Sequence, residues 1–239
     1  MKNRIRNSLY PRFGIITKWI QDMKKKSCVW LVCILLCLSS AMEGQVIRLD
    51  GGAAFSKLVT KGVPDGYSYN AVRPFQISAG LEYWDKGTFN LSSSIGYLRK
   101  GGSMDVAVEE NVGDIPYYTK YKDYIDYLTV NTLFNLKRSV RRETYYIGVG
   151  PRLDFKLGTS NYSEAEKIDI GPIQDARAVV FGLKCEVGFW FDLTEHYRIG
   201  TNFSYLPSFT KAWVSPVEDS KMKIGDRTFT LSLSLGYRL

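Results

Sequence analysis

The last fourteen residues, Asp226–Leu239, restrict the fold more than any other stretch of the chain. From Phe229 onward every odd position is large and apolar: Phe229, Leu231, Leu233, Leu235, Tyr237 and Leu239. The even positions between them are small or polar: Thr230, Ser232, Ser234, Gly236 and Arg238. Successive side chains on a strand point to opposite faces, so this stretch has one apolar face and one wet face. Its length, about eleven residues, is what a tilted strand needs to cross the hydrocarbon core of a bilayer. An apolar edge this long would template aggregation if left open, which points to a closed barrel.

The same alternation returns seven more times after residue 45. Expected strands cover 46–56, 73–83, 88–99, 124–136, 145–157, about 179–191 and 197–206. In 179–191, Val179, Phe181, Leu183, Cys185, Val187, Phe189 and Phe191 oppose Gly182, Lys184, Glu186 and Gly188. In 124–136 the parity switches, and Asp126 falls on the otherwise apolar face. No helical periodicity competes. Short connections are expected near 84–88, 137–143 and 192–196, and long ones near 57–72, 100–123, 158–177 and 207–226. Short turns at one end, long loops at the other and an even strand number are the habits of outer-membrane barrels. The expected fold is therefore all-β: an eight-stranded antiparallel up-and-down transmembrane β-barrel of outer-membrane type with a polar plugged interior. Both barrel termini are expected on the periplasmic, short-turn side. Tyr83, Trp84, Phe89, Tyr145, Tyr146, Phe189, Trp190, Phe191 and Tyr197 are expected in one interfacial girdle. Tyr97, Tyr117, Tyr118, Tyr121, Tyr124, Tyr205 and Phe209 fall toward the other.

The chain carries 32 Lys/Arg against 24 Asp/Glu, a net charge of +8. Residues 1–44 hold eight of the bases and two of the acids, leaving a net of +2 for residues 45–239. The basic excess thus belongs mostly to the first segment, and a nucleic-acid partner is not expected. Met23-Lys-Lys-Lys, the apolar run Cys28–Leu38 and Ser39-Ser-Ala41 have the layout of a secretory signal peptide cleaved after Ala41. Residues 23–44 are read as that signal, 1–22 as an over-extended start or basic extension, and 45–239 as the barrel domain. Three of the four cysteines lie in the apolar run, so Cys185 is left without an intramolecular partner and is expected as a small apolar residue.

The inward face carries both signs of charge: Arg48, Arg152, Lys156, Lys184 and Arg198 against Asp50, Glu82, Asp154 and Glu186. An eight-stranded barrel is only wide enough for its own side chains, so buried charges must pair. A salt-bridged plug is the expected arrangement, with a narrow ion or proton path as its alternative. A wide diffusion pore is excluded.

Three motifs occur in order: Ile95-Gly-Tyr97-Leu-Arg-Lys100-Gly101, Tyr127-Leu128, and Tyr146-Ile-Gly-Val-Gly150-Pro151 followed by Leu153. With the signal-like leader and the alternating last strand, they make the chain resemble the PorT-like outer-membrane barrels of Bacteroidota. The resemblance spans nearly all of 45–239. It departs at Thr129-Val130-Asn131, where the family often has Glu-Ile-Pro, and at the terminal Leu239 in place of an aromatic residue. It implies an outer-membrane location and, through PorT itself, a link to the type IX secretion pathway.

Catalysis is not expected. An acyl hydrolase or acyltransferase needs a nucleophile and a base within hydrogen-bond reach near the outer leaflet, and the single histidine, His196, falls in an expected periplasmic turn. No cofactor or metal is expected. The carboxylates Asp105, Glu109, Glu110 and Asp114, and Glu164, Glu166, Asp169 and Asp175, lack a regular calcium-ligand spacing. The expected protein is a monomeric, non-enzymatic surface, scaffold or interaction protein acting through its outer loops. Its partners would be outer-membrane lipid, the barrel-assembly machinery during insertion, and envelope or secretion proteins met through those loops or the basic turn Lys137, Arg138, Arg141 and Arg142. The alternatives are an accessory factor of a type IX-like secretion pathway and a soluble periplasmic lipocalin-like binding barrel, which should be apolar inside.

Overall fold

The computed structural model describes residues 45–61, 69–108, 117–163, 177–210, 213–214 and 223–239. The signal-like segment within 1–44 lies outside the described residues, as do Glu109, Glu110, Asp114, Glu164, Glu166, Asp169 and Asp175.

Eight long strands follow one another around a ring: β1 Val46–Lys61, β2 Phe75–Tyr83, β3 Phe89–Val108, β4 Tyr117–Val140, β5 Glu143–Ser163, β6 Val179–Asp192, β7 Tyr197–Tyr205 and β9 Lys223–Arg238. A two-residue strand, β8 (Trp213–Val214), lies on the flank of β9 beyond the end of β7. Every neighbouring pair is antiparallel, and β1 closes on β9 from Val46↔Arg238 to Lys61↔Lys223. Closure follows from the sequence pattern: neither β1 nor β9 can leave its apolar face on an open edge. Both ends of the barrel lie at the end that carries the three short turns, where the Leu239 N–H donates to the Gln45 carbonyl at 2.9 Å.

The two faces are inverted relative to a soluble protein. The odd residues of β9 are exposed, with Leu231 at 51%, Leu233 at 75% and Leu235 at 61%, while Thr228, Thr230, Ser232 and Ser234 are buried. The expected parity holds on all eight strands, including its switch in β4, where Thr129, Asn131 and Asn135 are buried and Phe134 and Leu136 exposed. Cys185 sits on the outer face as a free thiol.

The strands run farther at the long-loop end than the alternation predicts. The expected loop 100–123 begins as strand: β3 continues to Val108 and β4 starts at Tyr117, paired from Lys100↔Ile125 to Val108↔Tyr117. Likewise β1 continues to Lys61 and β5 to Ser163. Beyond the apolar belt the backbone ladder no longer needs apolar side chains on either face, so period-2 hydropathy stops while hydrogen bonding goes on. Two prolines produce the opposite effect. Pro74 and Pro207 have no N–H to give to a ladder, and β2 and β7 break there, although the bridges Ser56↔Val72 and Gly182↔Ser208 carry pairing past each break. Between β4 and β5 the register shifts by one residue at Asp126/Tyr127, where Leu157 is the extra residue of a bulge.

The short turns require left-handed backbone at few positions. Gly87 adopts φ 80°, and its N–H donates to the Asp85 carboxylate at 2.8 Å. Arg141, in the two-residue turn between β4 and β5, has φ 55°.

Candidate functional site: a paired-charge barrel interior

Ten charged side chains are buried among the described residues, five of each sign: Arg48, Lys100, Arg152, Lys184 and Arg198 against Asp50, Glu82, Asp154, Glu186 and Asp226. Each is on the inward parity of its strand, so the alternation that makes the outside apolar also delivers every charge to the same lumen. They assemble in three tiers along the barrel.

Nearest the short turns, Arg198 lies 3.2 Å from Asp192 and 3.7 Å from Glu82. Glu82 also accepts from Asn90 at 3.2 Å, and Asn135 donates to both Asn90 and Ser92. Trp190 fills the tier, with the Arg198 guanidinium 4.7 Å from its ring centroid and that of Arg48 5.6 Å away. Glu82, Asn90, Asn135, Lys137, Thr144, Tyr146, Trp190 and Arg198 enclose a cavity of about 10 Å³, at the lower limit of the ~10–15 Å³ that one water needs.

In the middle tier Arg48 joins Asp50 at 2.7 Å and Glu186 at 2.8 Å, and Lys184 reaches Glu186 at 2.7 Å. The remaining lone pairs of Glu186 accept from the Tyr146 hydroxyl at 2.9 Å and from Ser204 at 3.0 Å. Asp50 accepts from Asn202 at 3.2 Å and from Ser78 at 3.3 Å. Buried ions are tolerated only when pairing is completed by further hydrogen bonds of this kind.

In the third tier, toward the long-strand end, Lys100 bridges two carboxylates, with Nζ 2.9 Å from Asp154 and 2.9 Å from Asp226. Arg152 lies 3.1 Å from Asp154 and donates to Ser208 at 2.9 Å. The Lys100 ammonium also lies 5.3 Å from the Tyr127 ring centroid.

Of the nine interior charges expected from sequence, eight take part in these tiers. Lys156 shares their inward parity at a half-buried position beside Tyr127. Lys100 and Asp226 were missed because each lies just beyond the apolar alternation of its strand; continuing the parity of Gly96 and Leu98, or of Thr228 and Thr230, points both inward. Two aromatics expected in the interfacial girdle are corrected: Trp190 is 1% exposed inside the barrel, and Tyr146 turns inward to Glu186. The inward glycines opposite them make the room. A Cβ on Gly188 would meet the Tyr146 ring at 2.4 Å, and one on Gly200 would meet the Phe189 carbonyl oxygen at 2.3 Å and Trp190 Cε3 at 2.7 Å. Gly200→Leu is therefore expected to cost about 1–3 kcal/mol through overpacking, read as a lower urea midpoint in detergent micelles, whereas Leu235→Ile on the outer face should leave the midpoint unchanged.

Outside the belt, the turn carboxylate Asp85 is pulled upward by partial burial, but the Lys137 ammonium and the Gly87 N–H outweigh this and hold it below its usual range. At the other end, burial raises Asp123, and the hydrogen bond from the Tyr69 hydroxyl at 2.6 Å offsets this only in part. Of the basic turn, Lys137 reaches back to Asp85, while Arg138, Arg141 and Arg142 are exposed. His196 is exposed in the 193–196 turn, with its ring 5.9 Å from that of Tyr237.

Buried charges, Trp190 and Tyr127 fill the described part of the barrel interior. Reconstituted in a planar bilayer, the protein is expected to give no stepwise ionic current in molar salt, and porin-like steps would contradict the plug.

No family model matches the chain, and no curated protein does. Solved structures similar to it include the outer membrane protein OprG from Pseudomonas aeruginosa, at 17% identity and a TM-score of 0.48, covering 83% of this chain and 97% of that one. Ail, the attachment invasion locus protein of Yersinia pestis, is 18% identical with a TM-score of 0.41, over 83% of this chain and 100% of its own. Neisserial surface protein A is 13% identical with a TM-score of 0.43, over 82% and 99%.

Proposed function

We propose that the protein is an integral outer-membrane β-barrel without enzymatic activity, closed to diffusion, that works as a scaffold or interaction protein through its long-strand end. The observation that carries this reading is the inversion of its two faces: an exposed apolar exterior around an interior of paired charge. The outward residues Phe229–Tyr237 of β9 cover about 26 Å of strand, close to the ~25 Å apolar band of outer-membrane barrels. A soluble lipocalin-like barrel needs the reverse arrangement, an apolar lumen and a wet exterior. In this reading the short turns and both barrel ends face the periplasm, and the long strands rise above the outer leaflet. The test is migration in SDS with and without boiling, alongside membrane fractionation. A band that shifts on boiling and sediments with the outer membrane is expected, whereas a soluble, non-shifting protein would contradict the reading.

The finer assignment, a PorT-like accessory factor of secretion, is supported by where the resembling motifs fall. Lys100 of the first motif, Tyr127 of the second, and Arg152, which follows Pro151 of the third, meet in the upper tier of the lumen. Deleting the gene should then retain cargo that is normally exported, and unchanged export would leave only the general surface role.

A further inference from the structure

The apolar belt does not end evenly at its long-strand rim. On the outward face of β9, β1, β2 and β3 it ends in Arg227, Lys57, Arg73 and Arg99. Lys57 and Arg227 are directly opposite each other across the β1–β9 ladder, one step above the pair Phe55↔Phe229. Like charges in that position repel. Among the described residues no carboxylate lies within ion-pair distance of Lys57, Arg73 or Arg227. The Arg73 guanidinium rests 5.8 Å from the Phe55 ring centroid, and that of Arg99 5.4 Å from the Tyr124 ring. Among the described residues only Arg99 of the row has an acid in ion-pair contact, Asp126 at 2.6 Å. Between Arg73 and Arg99 opens a groove of about 400 Å³ whose floor is Ala53, Pro74, Phe75 and the side of Tyr124. Its Phe75 end runs into the belt, since the Phe75 ring packs against that of Tyr97 with centroids 5.2 Å apart and planes tilted by 31°.

We infer that this row binds the phosphate groups of a phosphorylated glycolipid in the outer leaflet, an inference that rests on the outer-membrane reading above. The row belongs to the lipid-facing parity of the barrel, so what lies against it is the leaflet and not a partner at the loop tips. Guanidinium groups match phosphate oxygens two at a time, and they lie where headgroups begin, immediately above aromatic residues in the belt. The groove supplies an apolar floor for the lipid beneath its charged headgroup. An anion between Lys57 and Arg227 also removes the repulsion that their register imposes. A free phosphate ion would use the cations but not the apolar floor.

The test uses the full-length mature protein in detergent micelles, titrated with diphosphorylated lipid A and with the same lipid chemically dephosphorylated, and followed by native mass spectrometry. The variant is Lys57→Gln/Arg73→Gln/Arg227→Gln, which keeps the Arg99–Asp126 pair, and each sample is checked for a boiling-dependent band shift. The wild type should bind the phosphorylated lipid tighter by about tenfold or more, and the variant should lose that preference while still shifting on boiling. Equal binding of the two lipids, or a folded variant that keeps the preference, overturns the inference. Displacement of the lipid by millimolar inorganic phosphate alone overturns its lipid source. A wild type that shows no band shift removes the membrane reading itself, and the inference with it, and is distinguished by that readout.

Discussion

Replacing Lys100 with methionine is expected to destabilise the barrel by about 3–5 kcal/mol, the cost of leaving buried charge without its partner. Lys100 is 1% exposed and its ammonium stands between Asp154 and Asp226, both buried. Once it is removed, Asp226 keeps hydrogen bonds from the Thr228 hydroxyl at 3.0 Å and from Ser208, and Asp154 keeps Arg152. Urea unfolding in micelles, followed by tryptophan emission, should show a clearly lower midpoint. The double variant Lys100→Met/Asp226→Asn should recover most of the loss, because it removes one buried charge of each sign and leaves Arg152 paired with Asp154. A Lys100→Met protein that unfolds at the wild-type midpoint would mean that the upper tier is hydrated and not a dry ion cluster.

Leu233→Arg should be the most damaging change on the outer surface, costing about 2–4 kcal/mol if that surface lies against hydrocarbon at the middle of a bilayer. The position is 75% exposed and directly opposite Gly51 and Thr201 on its two neighbours, so it crowds nothing. On a water-facing surface the same substitution would stay within about 0.5 kcal/mol of neutral. Folding into lipid vesicles, measured as the urea midpoint of the heat-modifiable form, separates the two cases. Arg227, on the same face two residues beyond the Phe55↔Phe229 pair, about 6.6 Å of strand at ~3.3 Å per residue, provides the internal contrast. Arg227→Leu should cost little or nothing in stability, because that position already lies at headgroup level.

The belt was legible in the sequence because the bilayer imposes one chemistry on alternate residues over a fixed length. Phe229–Tyr237 and Val179–Phe191 show this most cleanly, and the parity switch in β4 could be read from Leu128, Val130, Phe134 and Leu136. Past the belt that constraint lapses. The upward extensions of β3 and β4 are held by backbone pairing, which leaves no periodic hydropathy in Gly101-Gly102-Ser103 or Tyr121-Lys122-Asp123. The interior was legible as a set of charges but not as pairs, since alternation fixes which face a residue takes and says nothing of its depth relative to residues on other strands. Arg48 reaches Glu186 because closure brings β1 and β6 to opposite walls of one narrow lumen. Trp190 and Tyr146 were placed outside on composition, because aromatics near a strand end suit a membrane interface. Their own parity, shared with Gly188 and Glu186, puts them inside.

A nitroxide scan along β9 in lipid vesicles tests the central claim most directly. Single cysteines at 229 to 237, in a background without native cysteines, would carry the label, and its collision with oxygen and with a water-soluble nickel chelate would be read at each site. Labels at 229, 231, 233, 235 and 237 should meet lipid-dissolved oxygen and exclude the chelate, while those at 230, 232, 234 and 236 should be shielded from both. Odd positions freely reached by the chelate would show that the apolar face is wetted, and the membrane-spanning barrel would be wrong.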